Sequence, residues 1–182
     1  MNLNLVIAQI RTYCPLFSGR VAGAAEFALL PENATLPVPC AYVIPLDDTP
    51  GERMSLNDVR QPIIDAISVI IAVDNTADER GQSAVNNARQ THRAALWAAL
   101  LGWQPDPALY RGMEYQGGNL IAKDRARLWY QFDFAAYMEI TPADGWQGVE
   151  LAAKPHFDGV TVTLQGNTPP IIETIPKTGN LP

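Results

Sequence analysis

The chain has 182 residues, close to half of them hydrophobic, with a formal net charge of −6 and a pI near 4.8. That length suits one domain with an appendage and buries roughly 70% of the unfolded surface, so neither a disulfide nor a metal is needed to hold a core. The acidic balance excludes a protein whose main task is to coat nucleic acid, because phosphate contact needs a basic face; a surface that DNA merely slides past is compatible with it. No apolar run reaches the 18 residues of a membrane span. The opening Met1-Asn-Leu-Asn-Leu-Val-Ile-Ala-Gln-Ile10 lacks the basic start and long apolar stretch of a signal peptide. Synthesis in the cytoplasm is therefore expected, and Asn33-Ala34-Thr35 is not expected to be glycosylated.

Leu3, Val6, Ile7 and Ile10 recur at helical spacing and predict an amphipathic first helix stopped by Pro15. Dense alanine predicts a second short helix over 21–30. The run 38–46 is apolar and proline-punctuated, which predicts a strand near a sheet edge, since Pro39 and Pro45 cannot donate to a ladder. Residues 47–57 collect Asp, Thr, Pro, Gly, Glu, Ser and Asn and predict a long loop, the type of segment that tends to carry function. The stretch 63–73 is β-branched and apolar on both faces, the pattern of a central strand covered on both sides, or covered on one face by helix and on the other by a partner. Thr76 and Glu79 fit a capping box with Asp78 in the first turn, although Gly81 argues for a start after it. The helix that follows carries Val85, Ala88, His92, Ala95, Leu96, Ala99 and Leu100 on one face and stops at Gly102 and Pro105. Residues 113–122 and 126–140 predict a hairpin about Lys123-Asp124. Its second strand alternates: Leu128, Tyr130, Phe132, Phe134, Ala136, Met138 and Ile140 face one way, and Arg127, Trp129, Gln131, Asp133, Tyr137 and Glu139 the other. Beyond Pro142, Val160–Leu164 reads as a short strand. The Pro/Gly/Thr-rich tail reads as an extended arm with Ile171, Ile172 and Ile175 as apolar anchors for a neighbouring subunit.

Catalytic signatures do not emerge. There are two histidines and two cysteines. His92 lies on an apolar helical stripe, where a satisfied histidine at the core boundary is a plainer reading than a base, and His156 stands next to Pro155 in a late loop. Cys14 and Cys40 read as small buried hydrophobes. No zinc-ligand spacing exists. Asp74 and Asp78 fail as a calcium loop, with Thr76 at the third ligand position and Val85 where the twelfth should be glutamate. Asp47, Asp48 and Glu52 read as solvated loop carboxylates, and Gly117-Gly118 as a bulge. No phosphate-binding glycine motif or nucleophile elbow is present. The expectation is a non-enzyme without a cofactor.

One resemblance carries weight. The run Ala28-Leu-Leu-Pro-Glu-Asn-Ala-Thr-Leu-Pro-Val-Pro-Cys-Ala-Tyr-Val-Ile-Pro-Leu-Asp47 is followed by Gln61-Pro-Ile-Ile-Asp65 and Val73-Asp-Asn-Thr-Ala-Asp-Glu-Arg-Gly-Gln82. After these come Ala95-Leu-Trp-Ala-Ala-Leu-Leu-Gly-Trp-Gln-Pro105, Tyr115-Gln-Gly-Gly118 and Asp124-Arg-Ala-Arg-Leu-Trp-Tyr-Gln-Phe-Asp-Phe134. In that order, over about residues 1–142, they resemble the tail terminator family of long-tailed bacteriophages. The resemblance implies a mixed sheet flanked by helices. It also implies a ring, usually of six copies, that sits on the last tail-tube ring, stops tube growth and docks the head connector while DNA passes through it.

The reading is thus an α+β fold: a mixed, largely antiparallel sheet with helices packed on one face, over 1–142, and a C-terminal extension over 143–182 with a short strand and a Pro-rich arm. The function expected is a virion protein at the tail neck of a siphovirus, with itself, the tube protein and the head–tail connector as partners. Expected contacts are the loop residues Asp47, Asp48, Glu52, Arg53 and Arg60, the hairpin face of Arg127, Trp129 and Tyr137, and Ile171, Ile172 and Ile175. On that reading Trp129→Ala weakens assembly and leaves the monomer folded. Alternatives are another head–tail joining protein (connector-stopper or tail-completion subunit), or a small-molecule enzyme or binding protein with Asp74 or His92 lining a pocket.

Overall fold

The computed structural model describes residues 1–29, 36–76, 81–123, 126–155, 159–164 and 171–176. It separates into two compact units, Met1–Thr141 and Pro142–Pro182.

In the first unit, α1 (Leu3–Tyr13) opens on Asn2, whose Oδ1 accepts the Asn4 N–H at 3.1 Å, and buries Val6 and Ile10 completely. A 3-10 turn over Pro15–Phe17 follows, and Ser18 and Gly19 then reverse the chain in left-handed geometry. The short helix expected over 21–30 is divided. Val21–Gly23 is a strand, β1, parallel to β2 (Cys40–Pro45), and only Ala24–Ala28 is helical, α2. Pairing of Val21 with Ala41 overrides the helical preference of the alanines, as tertiary context routinely does. Glu26 caps α2 by accepting the Gly23 N–H. Residues 30–35, which include part of the first family-like run, lie outside the described residues.

The sheet runs β1-β2-β4-β6-β5, with β3 (Thr49–Pro50) also on β4 (Gln61–Asp74). Only β1–β2 is parallel. β2 therefore sits one place in from the edge, and its prolines are tolerated because Pro39 precedes the strand and Pro45 ends it. β4 is central as expected, paired along its whole length with β6 (Arg127–Ile140) from Gln61↔Ile140 to Asp74↔Arg127. β5 (Glu114–Lys123) completes the hairpin; Asp124 and Arg125 at its tip lie outside the described residues. The ladder slips between Tyr115 and Gly117, where Gly117 takes φ 150°, and a Cβ on Gly118 would stand 2.9 Å from the Gln131 carbonyl oxygen. The glycine pair is a bulge for that reason.

The long helix begins after Gly81: α3 (Gln82–Asn87) and α4 (Arg93–Leu100) are joined through a π turn over Ala88–His92. Of the expected capping box, Thr76 is exposed and its N–H donates to Asp74, while Asp78 and Glu79 lie outside the described residues. Gly102, at φ 75°, ends the run in the left-handed geometry that suits glycine. The predicted alternation of β6 holds. Leu128, Tyr130, Phe132 and Phe134 meet Val69, Ile71 and Val73 of β4, Val6 and Ile10 of α1, and Leu96 and Leu100 of α4 in the main core. On the opposite face, Cys40, Tyr42 and Ala72 form a smaller cluster with Phe27 of α2 and Trp129. Cys14 and Cys40 are buried free thiols.

The second unit holds a 3-10 turn (Pro142–Asp144), α5 (Trp146–Ala152), β7 (Gly159–Leu164) and β8 (Ile171–Pro176). α5 was not anticipated: two glycines and a tryptophan obscure its periodicity. The anchored part of the expected arm, 171–176, is extended and pairs antiparallel with β7 as a two-stranded sheet.

Candidate functional site

The long loop is built by the length of β4. β2 covers only the half of β4 from Ile67 to Ala72, so the chain leaves β2 with the other half still unpaired. Thr49 and Pro50 then pair with Ile64 and Ile63, and the loop turns back through Arg60 into β4. Its backbone is braced internally. The Gly51 N–H donates to the Pro62 carbonyl at 2.8 Å, and the Met54 N–H to the Arg60 carbonyl at 2.8 Å. The Gln61 side-chain amide donates to the Gly51 carbonyl at 2.9 Å. The Arg53 guanidinium forks onto the Asp58 carbonyl at 2.8 and 3.2 Å. Arg60 reaches the carboxylates of Asp58 and Glu139 at 3.3 and 3.4 Å, tying the loop to β6. Hydrogen bonding by Ser55, and then Arg60, hold the Asp58 carboxyl below its usual range.

Both loop cations are thus engaged within the subunit, while Asp47, Asp48 and Glu52 are exposed. Two residues that the sequence reading passed over dominate the loop surface: Leu56 is 97% exposed and Met54 62%. Two hydrophobic side chains are thus held in water on a braced backbone. The available sequence signal was an apolar pair inside an otherwise polar loop.

The expected hairpin face is distributed along β6. Tyr137, near the loop end, lies under the Arg111 guanidinium at 4.4 Å. Trp129, toward the opposite end, is half-buried, with Phe27 and Tyr42 at ring-centroid distances of 6.0 and 6.2 Å, and the Arg127 guanidinium stands 6.0 Å over it. The structure brings Arg60, Glu139 and Tyr137 together at one end of the sheet and places Arg127 and Trp129 at the other. In the second unit, Ile171, Ile172 and Ile175 lie on β8 opposite Leu164, Thr163 and Val160. α5 exposes Trp146, Val149 and Leu151.

The titratable groups do not converge. Asp74 is exposed, and its Oδ1 accepts the Thr76 N–H at 2.9 Å, which lowers its pKa. His92 is buried in the main core, 5.7 Å from the Phe17 ring, with Nδ1 3.3 Å from the Asn87 carbonyl oxygen. Burial pushes its pKa down. His156 lies outside the described residues. Among the described residues no group of three or more His, Cys, Asp or Glu is placed to hold a metal, and no helix is long and apolar enough to cross a membrane.

No curated protein matches the chain in sequence. Among solved structures, a chain from the virion of a native gene transfer agent particle is similar at a TM-score of 0.46 and 14% identity, over 74% of this chain and 92% of that one. Residues 1–145, which hold the whole six-stranded sheet and the braced loop, match the phage tail terminator protein model, and the chain belongs to that family.

Proposed function

We propose that this protein is the terminator subunit of a siphovirus tail: copies form a closed ring, six in number, that caps the tail tube at the neck. The ring stops tube polymerisation and presents the docking surface for the head connector. Membership in the tail terminator family carries the reading. The action is geometric and involves no catalysis: one ring face copies the end of the tube and binds it, and the other offers no seat for a further tube subunit. The net charge of −6 suits a ring through which DNA passes without sequence-specific binding. Synthesis in the host cytoplasm precedes assembly.

The contacts proposed are the braced loop with Asp47, Asp48, Glu52, Arg53 and Arg60, the β6 positions Arg127, Trp129 and Tyr137, and Ile171, Ile172 and Ile175 of the C-terminal hairpin. The exposed Leu56 and Met54 put the loop first among these. The test is tail length by electron microscopy in particles made without this protein. Overlong, headless tubes that return to uniform length when the protein is supplied support termination. Tails of normal length that fail to join heads move the protein to the connector class, and normal virions overturn the reading.

A further inference from the structure

The loop tip has a complement on the same chain. A cleft of about 230 Å³ lies beside β1 and β2, walled by Ala22, Leu36, Pro37 and Tyr42 and flanked by Arg11 and Arg20. An apolar cavity of ~150 Å³ already admits a benzene-sized group, so this cleft has room for a leucine side chain. The two guanidiniums are positioned by backbone carbonyls: Arg11 Nε donates to Val21 at 3.0 Å and Arg20 Nε to Pro39 at 3.0 Å. Among the described residues neither has a carboxylate partner. The loop offers the converse set, an apolar pair of Leu56 and Met54 in the same segment as the exposed acids Asp47, Asp48 and Glu52, with its own arginines already engaged by Asp58 and Glu139.

A subunit cannot fill its own cleft with this tip. The loop meets β4 at Pro62, and the cleft meets it through Ala41, which pairs with Ile71. At 3.3 Å per residue those points are roughly 30 Å apart along the strand. Two complementary patches set far apart along β4 make a head-to-tail contact, which gives a ring when its rotation closes. We infer that the Asp47–Arg60 loop of one copy seats Leu56 in the Arg11–Arg20 cleft of the next, with the loop acids against the two guanidiniums. This rests on the ring reading and names the contact that closes the ring.

The test places a photo-reactive p-benzoyl-phenylalanine at Leu56 in the full chain, irradiates it both purified and in a tail-assembling lysate, and maps the linked peptides. The expected result is a ladder of dimers and larger species, with links on residues 20–22 or 36–42 of another copy. Asp48→Lys, at an exposed site, lowers the ladder about tenfold or more. Ala22→Trp, which fills the cleft, abolishes it. Links only to a different protein, tip-to-tip links, or no links while native mass spectrometry still reports the ring all overturn this contact and leave the ring reading standing. Absence of any oligomer, together with normal tails in particles lacking the protein, overturns both.

Discussion

At the scale of single residues, burial decides how pH acts on the fold. His92 is held neutral in the core below its ordinary pKa of 6.5, so the unfolded chain binds a proton there that the folded chain resists. Its contribution is complete above pH 6.5 and is lost as pH falls below it. Cys14 is pushed by burial from 9.0 to about 11, and Tyr110, buried and donating to Asp65, from 10.0 to about 12. These protons are bound more tightly in the folded state, so their contributions are complete below the ordinary values and decline between pH 9 and 12. Urea denaturation should therefore give a stability plateau between about pH 6.5 and 9, falling on both sides. In His92→Gln the acid-side fall should become shallower; an unchanged profile would remove His92 as its cause. Trp129 belongs to this scale too. Its contacts with Phe27 and Tyr42 mean that Trp129→Ala costs about 2 kcal/mol of stability, read as a lower urea midpoint. An unshifted midpoint would return it to a purely surface role.

At the scale of elements, the two ends of the same sheet obey different rules. Phe132 on β6 is fully buried against β4 and the helices, and Phe132→Ala should destabilise by about 3 kcal/mol or more through the lost burial and the cavity left behind. The braced loop behaves oppositely. Its backbone is held by Gly51, Met54, Arg53 and Arg60, not by its apolar side chains, so Leu56→Ser should leave stability within about 0.5 kcal/mol of the parent. The same change should reduce oligomer formed at a given concentration, as followed by sedimentation. A Leu56→Ser protein that unfolds early would make the tip part of the core, and one that assembles normally would remove it from the contact surface.

At the scale of the whole molecule, both hydrophobic clusters lie within Met1–Thr141. The remainder carries a two-stranded sheet, which on its own is marginal in water. A chain ending at Thr141 should therefore unfold cooperatively by circular dichroism, within a few degrees of the full chain's midpoint. A large drop would mean that residues 142–182 stabilise the first unit directly.

How much of the fold is legible in the sequence depends on how local each cause is. The α1 stripe, the buried faces of β4 and β6, and the stop at Gly102 come from side-chain periodicity and one backbone geometry, both written in neighbouring residues. So was the family resemblance, carried by ordered runs of residues. Other features are set by partners distant in the chain. Val21–Gly23 is a strand because Ala41 pairs with it, and Trp129 is half-buried because Phe27 and Tyr42 fold onto it. Arg60 is engaged because Glu139 stands opposite. The cleft facing Arg11 and Arg20, and its separation from Leu56 by much of the length of β4, exist only once the sheet is assembled. A sequence specifies which side chains are apolar or charged, but their exposure and their distances follow from contacts between segments many residues apart.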